Sequence, residues 1–95
     1  MSDNYSEDEV RALVENYDEL HYRKDRLWLL VRLVDLEQAI DKLPQKEAEA
    51  VKLCGLIGLS TRWAGDTMGI SHTTVRKHYL RGLSRLTRLV NGQRP

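Results

Sequence analysis

Ninety-five residues, 41% of them hydrophobic and none of them Phe, can supply the core of one small domain, and the dominance of Leu favours helices over strands. The single Cys54 excludes an intramolecular disulfide and suits a reducing compartment, as a small core residue. The formal net charge of +1 hides a division: residues 1–42 carry eleven acids against six bases, net −5, and residues 43–95 carry nine bases against three acids, net +6.

After Asp66 there is no acid at all, which points to a polyanion partner for the C-terminal half. The acidic half would keep the protein soluble or meet another basic surface. No basic-then-apolar leader opens the chain, so secretion is not expected. The longest apolar run, 27–34, is interrupted by Arg32 and is far too short to cross a bilayer. A cytoplasmic protein with no membrane partner is expected.

In chain order, a polar start leads to Ser6 and Glu9, which have capping-box spacing. Val10, Leu13, Val14, Tyr17 and Leu20 then recur at helical spacing as one packing stripe. Between His21 and Asp25 the chain either turns, with Asp25 as a cap, or continues as one long helix. From Leu27 to Leu43 the pattern is dense. Leu29, Leu33, Leu36, Ile40 and Leu43 make a heptad-type seam, while Leu27, Leu30, Val31 and Val34, broadened by Trp28, make a second stripe. A helix apolar on two sides needs two neighbours. The second stripe is therefore expected either to pack within the monomer or to form a homodimer or partner interface.

Pro44 disfavours helix at Leu43 and suits the first turn of a new helix over 44–57. Ala48, Val51 and Cys54, with Leu53 and Ile57, are expected to face inward there, and Gly55 to allow close packing. Gly58 ends that helix; Ser60 caps the next, Thr61 to Met68; and the last runs from Ser71 or His72 to Val90, stopped by Asn91-Gly92. Its buried side is expected to be Val75, Tyr79, Leu83, Leu86 and Val90. The domains expected are an acidic N-terminal helical segment over 1–43, for packing or dimerisation, and a DNA-binding unit over 44–95.

The stretch from Leu59 to Arg76 organises the rest. Gly69 can take the positive φ that ends one helix and turns into the next, and Ser71 can cap the helix that follows. Gly65, four residues earlier, lets the two helices cross closely, and Met68, Ile70 and Val75 lock the angle. This pattern is a helix-turn-helix. The register Leu43-Pro44, Glu47, Glu49, Val51, Leu53, Gly58-Leu59-Ser60, Met68-Gly69-Ile70-Ser71, Thr74-Val75-Arg76 and Gly82-Leu83-Ser84-Arg85-Leu86 resembles region 4, the promoter-reading domain of bacterial sigma factors. It resembles LuxR-type DNA-binding domains more loosely. The resemblance covers about residues 43–90, and it departs from the family at Ala64-Gly65, usually Ile-Ala, and at Trp63, usually polar. For Trp63 the default is a core position; a contact to the N-terminal helices or a protein-docking role are the alternatives.

The fold expected is an all-α small helical bundle with a C-terminal helix-turn-helix. His72, Thr73, Arg76 and Lys77 sit at the start of the recognition helix, the part that reaches base edges. Ser60, Thr61, Arg62, Ser71, Thr74, Arg81, Arg85 and Arg88 are expected at phosphates. The three histidines are far apart, with no metal-ligand spacing, and no nucleophile elbow or phosphate loop appears, so no enzyme, metal or cofactor is expected.

The function this implies is sequence-specific binding of double-stranded DNA in transcription regulation. It fits a stand-alone regulator of the phage or mobile-element type better than a complete sigma factor. The rival readings are a phage DNA packaging or recombination protein, and a protein-binding adaptor docking on RNA polymerase.

Overall fold

The computed structural model describes residues 5–22 and 27–92. Every element among them is helical: α1 (Glu7–Glu15), α2 (Tyr17–Tyr22), α3 (Leu27–Ile40), α4 (Gln45–Ala50), α5 (Thr61–Met68) and α6 (His72–Val90). The fold is all-α with a C-terminal helix-turn-helix, as the sequence pattern requires. The expected helix over 44–57 is two pieces, because α4 passes directly into a π-helical segment, Val51–Ile57, closed by Gly58 at φ 87°.

Local chemistry accounts for the ends. The Ser6 hydroxyl accepts from the Glu9 N–H at 3.0 Å and starts α1. Pro44 precedes α4 with an extended ψ of 146°. Between His21 and Asp25 the expected turn falls mostly on residues 23–26, outside the described residues.

The core is built around α6. Val75, Tyr79, Leu83 and Leu86 are buried along one side of it, and α1, α3, α4, α5 and the π-helical segment all pack against that helix. The same cluster takes in Val10, Leu13 and Val14 from α1, Leu36, Ala39 and Ile40 from α3, Leu43, Ala50 and Val51. Acidic and basic halves of the sequence thus share one hydrophobic core.

Gly55 is where the π-helical segment meets α1. A Cβ there would overlap the Val14 side chain and lie 3.5 Å from the Tyr79 ring. The close packing expected of this glycine is observed. Of the α3 stripes, Leu33, Leu36, Ile40 and Leu43 are buried, whereas Val31 and Val34 are 50% and 41% exposed. The side chains of Leu27, Trp28, Leu29 and Leu30 lie outside the described residues.

Two apolar expectations are corrected. Ile57 does not face inward but is 63% exposed, because the change to π-helical winding and the Gly58 turn rotate the end of that segment away from the core. Trp63 is not core either, at 68% exposure. The inward side of α5 is made by the small residues Ala64 and Gly65, which hold the helix too close to its neighbour to admit an indole.

Candidate nucleic-acid interface

The helix-turn-helix begins at Ser60, whose hydroxyl accepts from the Trp63 N–H at 3.2 Å and caps α5. Eight residues later Gly69, at φ 72°, ends the helix, and the Ile70 N–H returns to the Gly65 carbonyl at 3.0 Å. Gly65 sets how closely α6 can follow. A Cβ on it would stand 2.7 Å from the Ile70 carbonyl oxygen and 3.3 Å from the His72 nitrogen. Ser71 then caps α6, accepting from the Thr74 N–H at 3.2 Å, with the two hydroxyls 2.8 Å apart.

His72, Thr73, Arg76 and Lys77 all emerge exposed from the first turns of α6. None of the four side chains has a hydrogen-bond or ion-pair partner among the described residues. Arg62 is exposed on α5, and together with Asp66, Ile70, Ser71 and His72 it lines an open cleft between the two helices. Arg81 and Arg88 are exposed farther along α6, also without a partner among the described residues. Thr61 and Thr74 are half-buried, and the hydroxyls of Ser60 and Ser71 are engaged as caps. These placements bring the expected base-reading residues to one end of one helix.

Arg85 is placed differently. Its Nε donates to Glu47 Oε1 at 2.9 Å and its Nη2 to Oε2 at 3.5 Å, binding α6 to α4. Glu47 is buried, and the Arg85 side chain retains 29% exposure. The guanidinium is thus committed inside the fold, apart from the free cations. Its partner was legible in principle: Gly82, one turn before Arg85, marks a close approach, since a Cβ there would lie 2.7 Å from Val51 Cγ2 and 3.3 Å from the Glu47 carbonyl oxygen.

A second polar link orients the recognition helix from behind. The Tyr79 hydroxyl donates to Glu15 Oε2 at 2.8 Å, and Arg11 Nε donates to the same carboxylate at 2.9 Å. The Arg11 bond, reinforced by Tyr79, holds the Glu15 carboxyl below its ordinary range against a smaller opposing effect of burial. Burial, then the Glu15 carboxylate, pushes the Tyr79 phenol well above its usual value. Sequence periodicity assigns Tyr79 to the core but carries no sign of this bond.

The geometry described is that of two helices crossing at Gly65 and a cationic, unpaired leading turn on the second. The family model for sigma-70, region 4, matches residues 33–86. The chain belongs to that family. The matched region of this region 4 domain starts within α3 and ends in α6, so it includes both the helix-turn-helix and the helices that support it. A curated relative, the ECF RNA polymerase sigma factor SigE of Mycolicibacterium smegmatis (strain ATCC 700084 / mc(2)155), is 36% identical over 86 residues. That similarity covers 81% of this chain and 32% of the relative, so the region 4 chain spans about a third of that protein's length. No solved structure matches the chain. Among the described residues no group of His, Cys, Asp and Glu could hold a metal ion, and no helix is long and apolar enough to cross a membrane.

Proposed function

We propose that this protein is a non-enzymatic, sequence-specific DNA-binding regulator of transcription. The first turns of α6 enter the major groove, and α5 lies across the backbone. The observation that carries the reading is the set of exposed, unpartnered side chains His72, Thr73, Arg76 and Lys77 at the leading end of α6. Arg76 would read a guanine bidentately and Thr73 a thymine methyl. Arg62, Arg81 and Arg88, with the N-termini at Ser60-Thr61 and Ser71, would hold phosphates.

The test is selection of a binding site from random duplexes, followed by titration at several salt concentrations. Specific binding should weaken steeply with salt. Arg76→Ala should cost about 1–3 kcal/mol on the selected site and relax preference at one base position. Equal loss on selected and random duplexes would refute the role given to Arg76, and no enrichment of any sequence would refute the reading itself.

The reading extends to a cytoplasmic, stand-alone regulator of the phage or mobile-element kind. In its support, α1 and α3 bury apolar faces on α6 and complete its core. It also extends to a homodimer through α3, supported by the exposure of Val31 and Val34. A monomeric mass in sedimentation equilibrium at micromolar concentration would remove the dimer. A second reading, docking on RNA polymerase, is favoured by the exposed indole of Trp63 and by the sigma-factor name of the relative. Capture of purified polymerase by the wild type but not by Trp63→Ala would support it.

A further inference from the structure

The far end of α6 carries a feature the DNA-binding reading does not use. Asn91, the residue that ends the helix, is bonded in both directions to the backbone of Tyr5: the Tyr5 N–H donates to Asn91 Oδ1 at 2.5 Å, and Asn91 Nδ2 donates to the Tyr5 carbonyl at 2.9 Å. The two partners are 86 positions apart in sequence. Tyr5 is fixed in turn by its own side chain. It is 8% exposed, its hydroxyl donates to Asp35 at 3.1 Å, and the Arg32 guanidinium lies 4.5 Å from the centre of its ring. The start of the described chain is thus a strap tied to the C-terminal end of α6 by one asparagine amide.

The residue after Asn91 is Gly92. With no side chain on the following residue, a backbone nitrogen can reach an asparagine side-chain carbonyl with little steric opposition. In the fold this reaction is held off twice. The Gly92 N–H is bonded to the Leu89 carbonyl at 3.0 Å, and Asn91 at φ −90° and ψ 8° turns the Gly92 nitrogen away from its own Cβ branch. The strap holds the Asn91 amide as well.

We propose that Asn91 is a self-modification site, deamidating through an imide formed with Gly92 whenever the Tyr5 strap lets go. The Gly92 nitrogen gives up its proton and attacks Asn91 Cγ. The new N–Cγ bond forms, the Cγ–Nδ2 bond breaks, and Nδ2 leaves as ammonia carrying the proton. Water then opens the ring. Attack at Cγ gives aspartate, and attack at the Asn91 backbone carbonyl carbon gives isoaspartate; no oxidant or reductant is involved.

The reaction makes the release one-way. The product carboxylate has no hydrogen to donate to the Tyr5 carbonyl, and it adds negative charge at the C-terminal end of a 19-residue helix, where the aligned carbonyls disfavour it. The strap therefore does not close again on modified protein.

Purified full-length protein would be held at mildly alkaline pH, with conversion at Asn91 followed by peptide mapping and isoaspartate content. The wild type is expected to convert slowly. Tyr5→Ala, which removes both side-chain anchors, should convert roughly tenfold faster, on the scale of two hydrogen bonds lost from a local opening equilibrium. Tyr5→Phe keeps the ring and loses only the Asp35 bond, so it should fall between the two. It also serves if Tyr5→Ala proves unfolded by circular dichroism. Asn91→Asp should reproduce the released state, seen as lost hydrogen-exchange protection of the Tyr5 N–H. The proposal is overturned if folded wild type converts as fast as urea-unfolded chain, or if folded Tyr5 variants convert at the wild-type rate. Full Tyr5 protection in Asn91→Asp would overturn the one-way release.

Discussion

Arg85 offers the sharpest test, because its position in the sequence and its position in the fold predict different phenotypes. As one of the basic residues along the outward side of the recognition helix, it would be a phosphate contact, and Arg85→Ala would leave stability alone while flattening the salt dependence of DNA binding. The structure instead pairs it with Glu47 at 2.9 Å and 3.5 Å, and the acid of the pair is the buried member. Removing the partner of a fully buried charge costs about 3–5 kcal/mol. With 29% of the Arg85 side chain still open to water, about 2 kcal/mol is a fitting expectation. For a chain of this size that corresponds to a fall of roughly 10 °C in Tm. Glu47→Gln should cost less, since Arg85 can turn its freed guanidinium outward. Thermal and urea melts of both single variants and the double variant would measure the coupling. If Arg85→Ala melts like the wild type and binds random DNA with a shallower salt slope, the ion pair is not what holds α4 to α6.

Other consequences are equally direct. Gly55→Ala should destabilise the fold by about 1–3 kcal/mol in chemical denaturation, because the added methyl overlaps Val14 where the π-helical segment crosses α1; an unchanged midpoint would mean that the segment gives way freely. Trp63→Ala should shift stability by no more than about 0.5 kcal/mol, since the indole is 68% exposed, and a larger loss in the same assay would return Trp63 to the core. The raised Tyr79 phenol favours the protonated form in the folded state. Its contribution is complete below the unfolded tyrosine value, near about pH 10, and is lost as pH rises above it. Tyr79→Phe should therefore remove part of the alkaline fall in Tm, and an unaltered profile would count against the Glu15 bond.

What could be read from the sequence was what local chemistry decides. Ser60, Ser71, Gly69 and Gly65 are dictated by the residues beside them, and the structure uses each as expected, down to the carbonyl that leaves no room for a Cβ at Gly65. The buried side of α6 followed from its periodicity. Trp63 and Ile57 were misjudged because apolar character alone does not say which way a short helix is rolled. In α5 the decisive residues are the small ones, Ala64 and Gly65, which fix the inward side. The π-helical winding over 51–57 has no period in the sequence to announce it, and Gly55 records only the close approach. Arg85 was hidden among solvent cations because its partner lies 38 positions away. Only the coincidence of Gly82 with a buried acid on α4 reveals the pairing.

The division of labour along α6 bears on how such a protein changes its target over generations. Val75, Tyr79, Leu83 and Leu86 lock the middle of the helix into the core, while His72, Thr73, Arg76 and Lys77 stand in the open at its leading end and hold nothing in place. A substitution among those four meets no packing partner, so variation there is free of the folding penalty that constrains the remainder of the helix. New operator preferences can then be sampled one base pair at a time on an unaltered scaffold. A library randomised at these four positions should yield mostly folded proteins, whereas one randomised at Val75, Tyr79, Leu83 and Leu86 should yield few.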